Sequence, residues 1–162
     1  MIEKFLVAIV IASTPLLFAT IGEIITEKAG HLNLGVEGMM LIGAISGFAS
    51  GIITQNPILA LLGAILGGMI SSYIYAFLTV TLRANQIVSG LALTIFGQGI
   101  SSYLGTNFVG KKMPKNIIEF YEPIKIPFLS KIPVIGNVFF NQDIFVYLSF
   151  VLAIVISIYL YK

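Results

Sequence analysis

The chain has 162 residues, of which 57% are hydrophobic and only 10% are charged, with a net charge of +2. Soluble domains average about 25% charged residues, so this composition indicates a membrane protein. The small net charge gives no indication of nucleic-acid binding. Because the chain contains no cysteine, disulfides, thiolate metal sites and cysteine nucleophiles are excluded.

Apolar runs predict an all-α bundle with about five membrane segments, since a helix needs about 20 apolar residues to cross a bilayer. The first run, Phe5–Gly22, contains Pro15, which predicts a kink or a division of the helix. A division would leave a short entry helix over Met1–Ser13 and a second helix from Thr14 to Lys28. No small-residue cleavage site closes this run, so we expect a retained segment and not a signal peptide.

Four further apolar runs cover Val36–Ile53, Ile58–Leu82, Ile87–Leu104 and Ile144–Tyr161. Asn56 and Pro57 predict the N-cap and first turn of the third helix, and Asn141–Asp143 predict a cap for the last one. Between the last two runs, residues 106–142 form a loop rich in lysine and proline. This composition predicts an extended path along the membrane interface, with a short helix near Ile117–Tyr121.

Glycines recur at four-residue spacing in the second and third runs. They are Gly43, Gly47 and Gly51, followed by Gly63 and Gly67. Small residues four apart lie on one helix face and let a neighbouring helix approach closely. We expect these glycines to serve helix packing inside one subunit, and a dimer face is the alternative.

The segment Glu23–Gly38 is polar and glycine-punctuated, although it lies between two apolar runs. Polar groups at membrane depth are costly unless they pair or line a wet cavity. The glycines predict a broken helix near residues 29–38, with Gly30 capping the first part after Lys28. Glu37 would then start the second part and cap it, or else border a permeation path.

Catalytic and metal sites are poorly supported. With one histidine, His31, and no cysteine, we expect no metal site and no cofactor, and His31 takes a structural role. No GxxxxGK[ST] motif is present, so nucleotide binding of that type is not expected. Glu23 and Glu27 are four residues apart and share a helix face. We interpret them as the end of a helix at the membrane interface, and a role in proton or cation handling is the alternative. A small membrane-embedded enzyme, which would use these two carboxylates with Glu37, is the weaker alternative to a transport function.

Three ordered blocks span nearly the whole chain: Ala29–Gly43, Leu82–Leu93, and Ile126–Gly136 followed by Phe140–Gln142. They resemble bacterial ABC-transporter permeases of the branched-chain amino acid/ribose class, and within it the nucleoside or simple sugar permeases. The resemblance implies a multi-pass subunit of an importer in the cytoplasmic (inner) membrane. It implies four kinds of partner: an ATP-binding subunit, a second permease subunit, an extracytoplasmic substrate-binding lipoprotein and a nucleoside substrate.

Permeases of this class are longer than the present chain. We therefore expect residues 1–162 to form a single membrane domain that corresponds to the amino-terminal half of a permease. A split or non-functional remnant of such a permease is the alternative. On this expectation, the chain with its ATPase and binding protein alone gives no substrate-stimulated ATP hydrolysis.

Discontinuous helices at polar breaks are where transporters build substrate sites. We therefore place six polar side chains of the broken helix, the short polar break before the fourth run, and the fourth run itself on a substrate path: Asn33, Glu37, Asn85, Gln86, Ser89 and Gln98. Their amides and hydroxyl suit neutral, hydroxyl-rich nucleosides.

The orientation of the 106–142 loop is predicted differently by charge and by resemblance. Its lysines would place it in the cytoplasm by the positive-inside rule, whereas the resemblance implies an extracytoplasmic loop. We follow the resemblance, because charge counts carry less weight on longer loops.

Overall fold

The computed structural model describes residues 2–125 and 135–161. Residues 126–134, which hold most of the third block of the resemblance and part of the predicted interfacial path, lie outside the described residues. The contacts divide the chain into two compact units, one formed by Met1–Ile25 with Tyr121–Lys162 and the other by Thr26–Phe120.

Five long helices dominate the described chain. They are α1 (Ile2–Lys28), α2 (Val36–Thr54), α3 (Pro57–Ala76), α4 (Gln86–Gly105) and, after the shorter helices α5 (Lys115–Phe120) and α6 (Ile135–Phe139), α7 (Ile144–Tyr161). A π-helical turn, Phe77–Thr81, extends α3, and a 3-10 turn, Thr106–Phe108, extends α4. Five helical segments are long and apolar enough to span a membrane, which confirms the predicted all-α membrane bundle.

Helix α1 is continuous through Pro15, so the predicted division at Thr14 is wrong. Proline removes one backbone donor from the helix. Hydroxyls just before it bond to the backbone of the preceding turn: Ser13 Oγ donates to the Ile9 carbonyl at 2.7 Å and Thr14 Oγ1 to the Val10 carbonyl at 2.9 Å. These bonds reinforce the turn before the proline, whereas the carbonyl that loses its helical donor is that of Ile11, four residues before Pro15.

The helix ends follow local capping chemistry. Gly30, at φ +87°, ends α1. The Gly30 N–H donates to the Glu27 carbonyl at 2.9 Å and the His31 N–H to the Thr26 carbonyl at 3.0 Å, which is the Schellman pattern. The Asn56 side chain accepts from the first N–H groups of α3, as predicted, with Pro57 in the first turn.

Within the unit Thr26–Phe120, α2 packs against α3 through small residues. A Cβ added to Gly47 would fall 2.8 Å from the Ala64 Cβ, and one added to Gly67 would fall 2.8 Å from the Ser46 Cβ. Gly43 lies against the Ala64 carbonyl in the same way. The two helices are joined by the pair Gln55–Asn56 alone, so they form an antiparallel hairpin.

The remaining glycines of the predicted set lie at the same seam. Gly63 faces Ser50, and Gly51 faces Ala60 together with the Met113 side chain of the loop after α4. The loop is also tied to the hairpin turn, because the Asn116 side-chain amide donates to the Gln55 carbonyl.

The unit that contains α7 is held at one end by a two-residue ribbon. Strand β1 (Ile124–Lys125) pairs with β2 (Asn141–Gln142) in antiparallel fashion. The Tyr147 hydroxyl of α7 donates to the Ile124 carbonyl at 3.1 Å and accepts from the Gln142 N–H at 3.2 Å. Asp143 caps α7 as predicted, since its carboxylate accepts from the N–H groups of Phe145 and Val146.

Candidate functional site

The chain between α1 and α2 is interrupted and runs without helical structure from Ala29 to Gly35. Its backbone is bound by side chains of α3 and α4, which lie 43 to 60 positions later in the sequence. We call residues 29–35 the break. All of the groups that bind it belong to the unit Thr26–Phe120.

Gln86, at the start of α4, binds the break with both ends of its amide. Its Oε1 accepts from the Leu32 N–H at 2.8 Å. Its Nε2 lies 3.1 Å from His31 Nδ1 and 3.5 Å from the Gly30 carbonyl oxygen. One side chain therefore satisfies polar groups of three consecutive residues, two of them on the backbone.

Two hydroxyls bind the carbonyls further along. The Tyr75 hydroxyl of α3 donates to the Leu32 carbonyl at 2.6 Å, and Thr94 Oγ1 of α4 donates to the Leu34 carbonyl at 2.9 Å. Tyr75 is buried, with 5% of its surface exposed. Since an unpaired backbone group inside a membrane costs several kcal/mol, each hydroxyl replaces a helical bond that the break has lost.

The break descends along α4 over two helical turns. The eight residues from Gln86 to Thr94 rise by about 12 Å along the α4 axis. Over this length of α4 the break runs from Gly30, bound by Gln86, to Leu34, bound by Thr94. Helix α2 therefore starts well below the beginning of α4, inside the membrane-spanning part of the bundle.

Glycines allow α2 and α4 to meet at this depth. A Cβ at Gly90 would fall 2.8 Å from the Leu34 backbone nitrogen, and one at Gly97 would overlap the Gly38 backbone. A Cβ at Gly38 would in turn overlap the backbone at Leu93 and Thr94. The break is thus fixed by direct contact of two backbones as well as by hydrogen bonds.

Glu37 does not cap α2 by a hydrogen bond, so that part of its predicted role is wrong. The N-cap position is Gly35, no side-chain cap hydrogen bond forms there, and Glu37 is exposed. Asn33 takes the nearer position, because its Oδ1 accepts from the Gly35 N–H at 2.9 Å. The short side chain of Asn33 reaches forward by two residues to this N–H, as in an Asx turn, whereas the Glu37 carboxylate is exposed.

The other predicted path residues are placed differently. Asn85 is the N-cap of α4, where its side chain accepts from the Val88 N–H at 3.1 Å. Ser89 is 8% exposed and lines a cavity of about 350 Å³ between α3 and α4. Gln98 is exposed and lies twelve residues beyond Gln86, or about 18 Å along the helix, so the structure does not bring it to the break.

Tyr75 and Thr94 are site residues that the sequence analysis did not select. Both lie within apolar runs, where a tyrosine and a threonine look like ordinary helix residues. The available signal was chemical: buried hydroxyls in a membrane helix need acceptors, and a broken helix nearby supplies carbonyls without partners. No spacing rule connects Tyr75 with Leu32, because the contact is between helices.

Five apolar spanning segments and an interrupted connection that neutral side chains hold at membrane depth define a multi-pass membrane protein of the transporter type. The chain belongs to the family described as branched-chain amino acid transport system / permease component, whose sequence model matches residues 5–162. Members of this family are transport proteins, and this assignment places the chain in the cytoplasmic membrane.

Several curated proteins are similar to the chain. It is 38% identical over 96% of its length to a Haloferax volcanii permease protein whose name assigns it provisionally to a glucose ABC transporter. It is 33% identical over 93% of its length to a guanosine ABC transporter permease protein of Bacillus subtilis. It is 40% identical over 82% of its length to a nucleoside ABC transporter permease protein of Lactococcus lactis.

The chain spans about half the length of these curated relatives, with 47%, 48% and 43% of each covered in the same order. No solved structure matched the chain. Among the residues that the structure describes, no group of three or more histidine, aspartate or glutamate side chains is placed to hold a metal ion.

Proposed function

We propose that the chain is part of the membrane permease of an ABC importer that carries nucleosides. The observation that carries the proposal is the break at residues 29–35, held at membrane depth by Gln86, Tyr75 and Thr94. Broken helices of this kind are where transporters place their substrate sites, because the helix ends there offer polar groups to a solute.

The chemistry of the break favours a neutral solute. The three side chains that bind it are an amide and two hydroxyls, and none of them carries a charge. A nucleoside offers several hydrogen-bond donors and acceptors without net charge, and so does a sugar. The similar curated proteins include nucleoside or guanosine permeases and glucose permeases in equal number. We propose nucleosides because the three sequence blocks resemble nucleoside permeases.

The predicted path residues fit this proposal unequally. Glu37 and Asn33 border the start of α2, and Ser89 lines the neighbouring cavity, so we keep these three on the path. Gln86 contributes to the proposed path indirectly, because it binds the backbone of the break. Asn85 and Gln98 contribute less, because one caps a helix and the other lies far along α4.

The proposed partners follow from the family. An ABC permease works with an ATP-binding subunit, a second permease subunit and a substrate-binding lipoprotein outside the membrane. We propose that this chain takes part in such an assembly, in which the lysine-rich 106–142 loop faces the binding protein.

Deletion of the coding segment in its native organism tests the proposed substrate. We expect uptake of radiolabelled guanosine and uridine to fall to the background of energy-depleted cells, while glucose uptake stays unchanged. Return of the deleted segment to its original place in the genome should restore nucleoside uptake. Loss of glucose uptake instead would assign the permease to sugars, and unchanged uptake of both would overturn the proposed function.

A further inference from the structure

The two ends of the Gln86 amide fix the protonation of His31. The Leu32 N–H, a donor, lies 2.8 Å from Gln86 Oε1, so the amide oxygen must face the backbone there. The amide nitrogen then faces His31 Nδ1 at 3.1 Å. An amide nitrogen only donates, so Nδ1 must accept, and an accepting Nδ1 carries no proton. A neutral imidazole with a bare Nδ1 carries its proton on Nε2.

Turning the amide around does not relieve this requirement. The flipped Gln86 would offer its oxygen to a protonated Nδ1, but its NH₂ group would then face the Leu32 N–H, with two donors in contact. A single amide can therefore serve either the backbone or a protonated Nδ1, and not both. Protonation of His31 must cost the break one of its bonds.

We propose that Gln86 is a positioning residue for transport: it holds His31 as the neutral Nε2–H tautomer, and the break keeps its transport-competent form only while Nδ1 is unprotonated. The inference rests on the proposed transport function for its effect on uptake. The tautomer itself is a property of the chain, and it can be measured separately.

Within the described part of the chain, the hydrogen bond of the His31 ring is to the uncharged amide of Gln86. The tautomer of His31 is therefore set by hydrogen-bond geometry at Nδ1.

The tautomer can be read directly by NMR, because His31 is the single histidine of the chain. With ¹⁵N-labelled histidine in the full chain, purified into lipid nanodiscs, we expect an unprotonated Nδ1 and a protonated Nε2 at neutral pH. A proton on Nδ1, or free exchange between the two tautomers as in dissolved imidazole, would overturn the proposal.

Gln86→Glu supplies the sharpest variant. Its carboxylate has two acceptors, so it can accept from the Leu32 N–H and from a protonated Nδ1 together. We expect the histidine proton to move to Nδ1 in this variant. The matched control is Gln55→Glu, the same amide-to-carboxylate change at an exposed residue at the other end of α2, and it should leave the tautomer unchanged.

Uptake links the tautomer to transport. Gln86→Glu cells should show nucleoside uptake at least about tenfold below the wild-type rate, because Nδ1 of His31 then carries the proton, whereas Gln55→Glu cells should keep the wild-type rate. A correct tautomer with equal uptake in wild-type and Gln86→Glu cells would overturn the transport role of Gln86, whereas absence of nucleoside uptake in wild-type cells would contradict the proposed function and leave the tautomer assignment standing.

Discussion

Two polar side chains, Asn33 and Glu37, lie at the start of α2, and they interact with the helix end in different ways. Asn33 bonds to the Gly35 N–H, and Glu37 in the next turn is exposed. A carboxylate in the first turn of a helix is favoured by the helix dipole even without a direct bond. At membrane depth it also needs a polar partner, which a solute or a water-filled path can provide.

Glu37→Gln should lower nucleoside uptake about tenfold or more, because a hydrogen bond to a charged group contributes about 1.5–3 kcal/mol. The amide keeps the size of the side chain but replaces one acceptor with a donor. Initial uptake rates in native cells, normalised to the membrane content of the protein, measure the effect. Glu3→Gln, the same change in the first turn of α1, is the control, with uptake expected at the wild-type rate.

Two other results would change the interpretation of Glu37. A loss of protein from the membrane would assign it to the stability of α2 through the helix dipole. Normal uptake with normal protein content would remove it from the path.

In the unit Thr26–Phe120, a glycine matters for helix packing only when it lies on the helix face that contacts a neighbouring helix. Two glycines of α4 illustrate this difference. Gly97 lies against the Gly38 backbone of α2, whereas Gly99, two residues later, has no atom within 4 Å of an added Cβ. We therefore expect substitution by alanine to lower the stability of the protein at Gly97 but not at Gly99.

Gly97→Ala should destabilise the α2–α4 contact by about 1–3 kcal/mol or more, the usual cost of overpacking. Gly99→Ala should be neutral or slightly stabilising, because alanine is favoured over glycine in a helix by about 1 kcal/mol. Thermal unfolding in detergent, followed by circular dichroism, compares the two variants with the wild type. Equal melting temperatures for the two variants would show that α2 and α4 do not touch at Gly97.

Capping residues were predictable from the sequence because they act within a few positions of themselves. Gly30, Asn56 and Asp143 were all found this way, and the structure confirms each cap. The five spans were equally predictable, since their length and apolarity are local properties. Glu37 as a hydrogen-bonding cap was wrong, because Asn33 bonds to the Gly35 N–H and composition does not show which nearby polar side chain reaches it.

Contacts between helices were not predictable in the same way. The bonds from Tyr75 to Leu32 and from Thr94 to Leu34 join residues 43 and 60 positions apart. Which hydroxyl reaches which carbonyl depends on the depth of α2 relative to α4, and no periodic pattern records that depth. The continuity of α1 through Pro15 was not predictable either, because a proline inside a membrane helix can end the helix or leave it intact.

The orientation of the chain in the membrane is a prediction at the scale of the whole molecule. Met113 packs on Gly51, and Asn116 bonds to the Gln55 carbonyl, so the segment after α4 and the α2–α3 turn lie on the same side of the membrane. Locating either one therefore locates both. We propose that this side is extracytoplasmic.

Lys115→Cys should react with a membrane-impermeant maleimide in intact cells, because residue 115 is exposed on the proposed outer side. The chain has no native cysteine, so labelling reports this position alone. Leu82→Cys, one span away and also exposed, should react only after permeabilisation. The reverse pattern would make the lysine-rich loop cytoplasmic, as the positive-inside rule predicts.

The two-residue connection between α2 and α3 also has a consequence for biogenesis. Closing so short a loop costs little chain entropy, and the glycine–serine seam needs no third helix to form. During synthesis, α2 and α3 can therefore pair before α4 reaches the membrane. Helix α4 then meets a partner that is already assembled, and the order of these events is set by the chain itself.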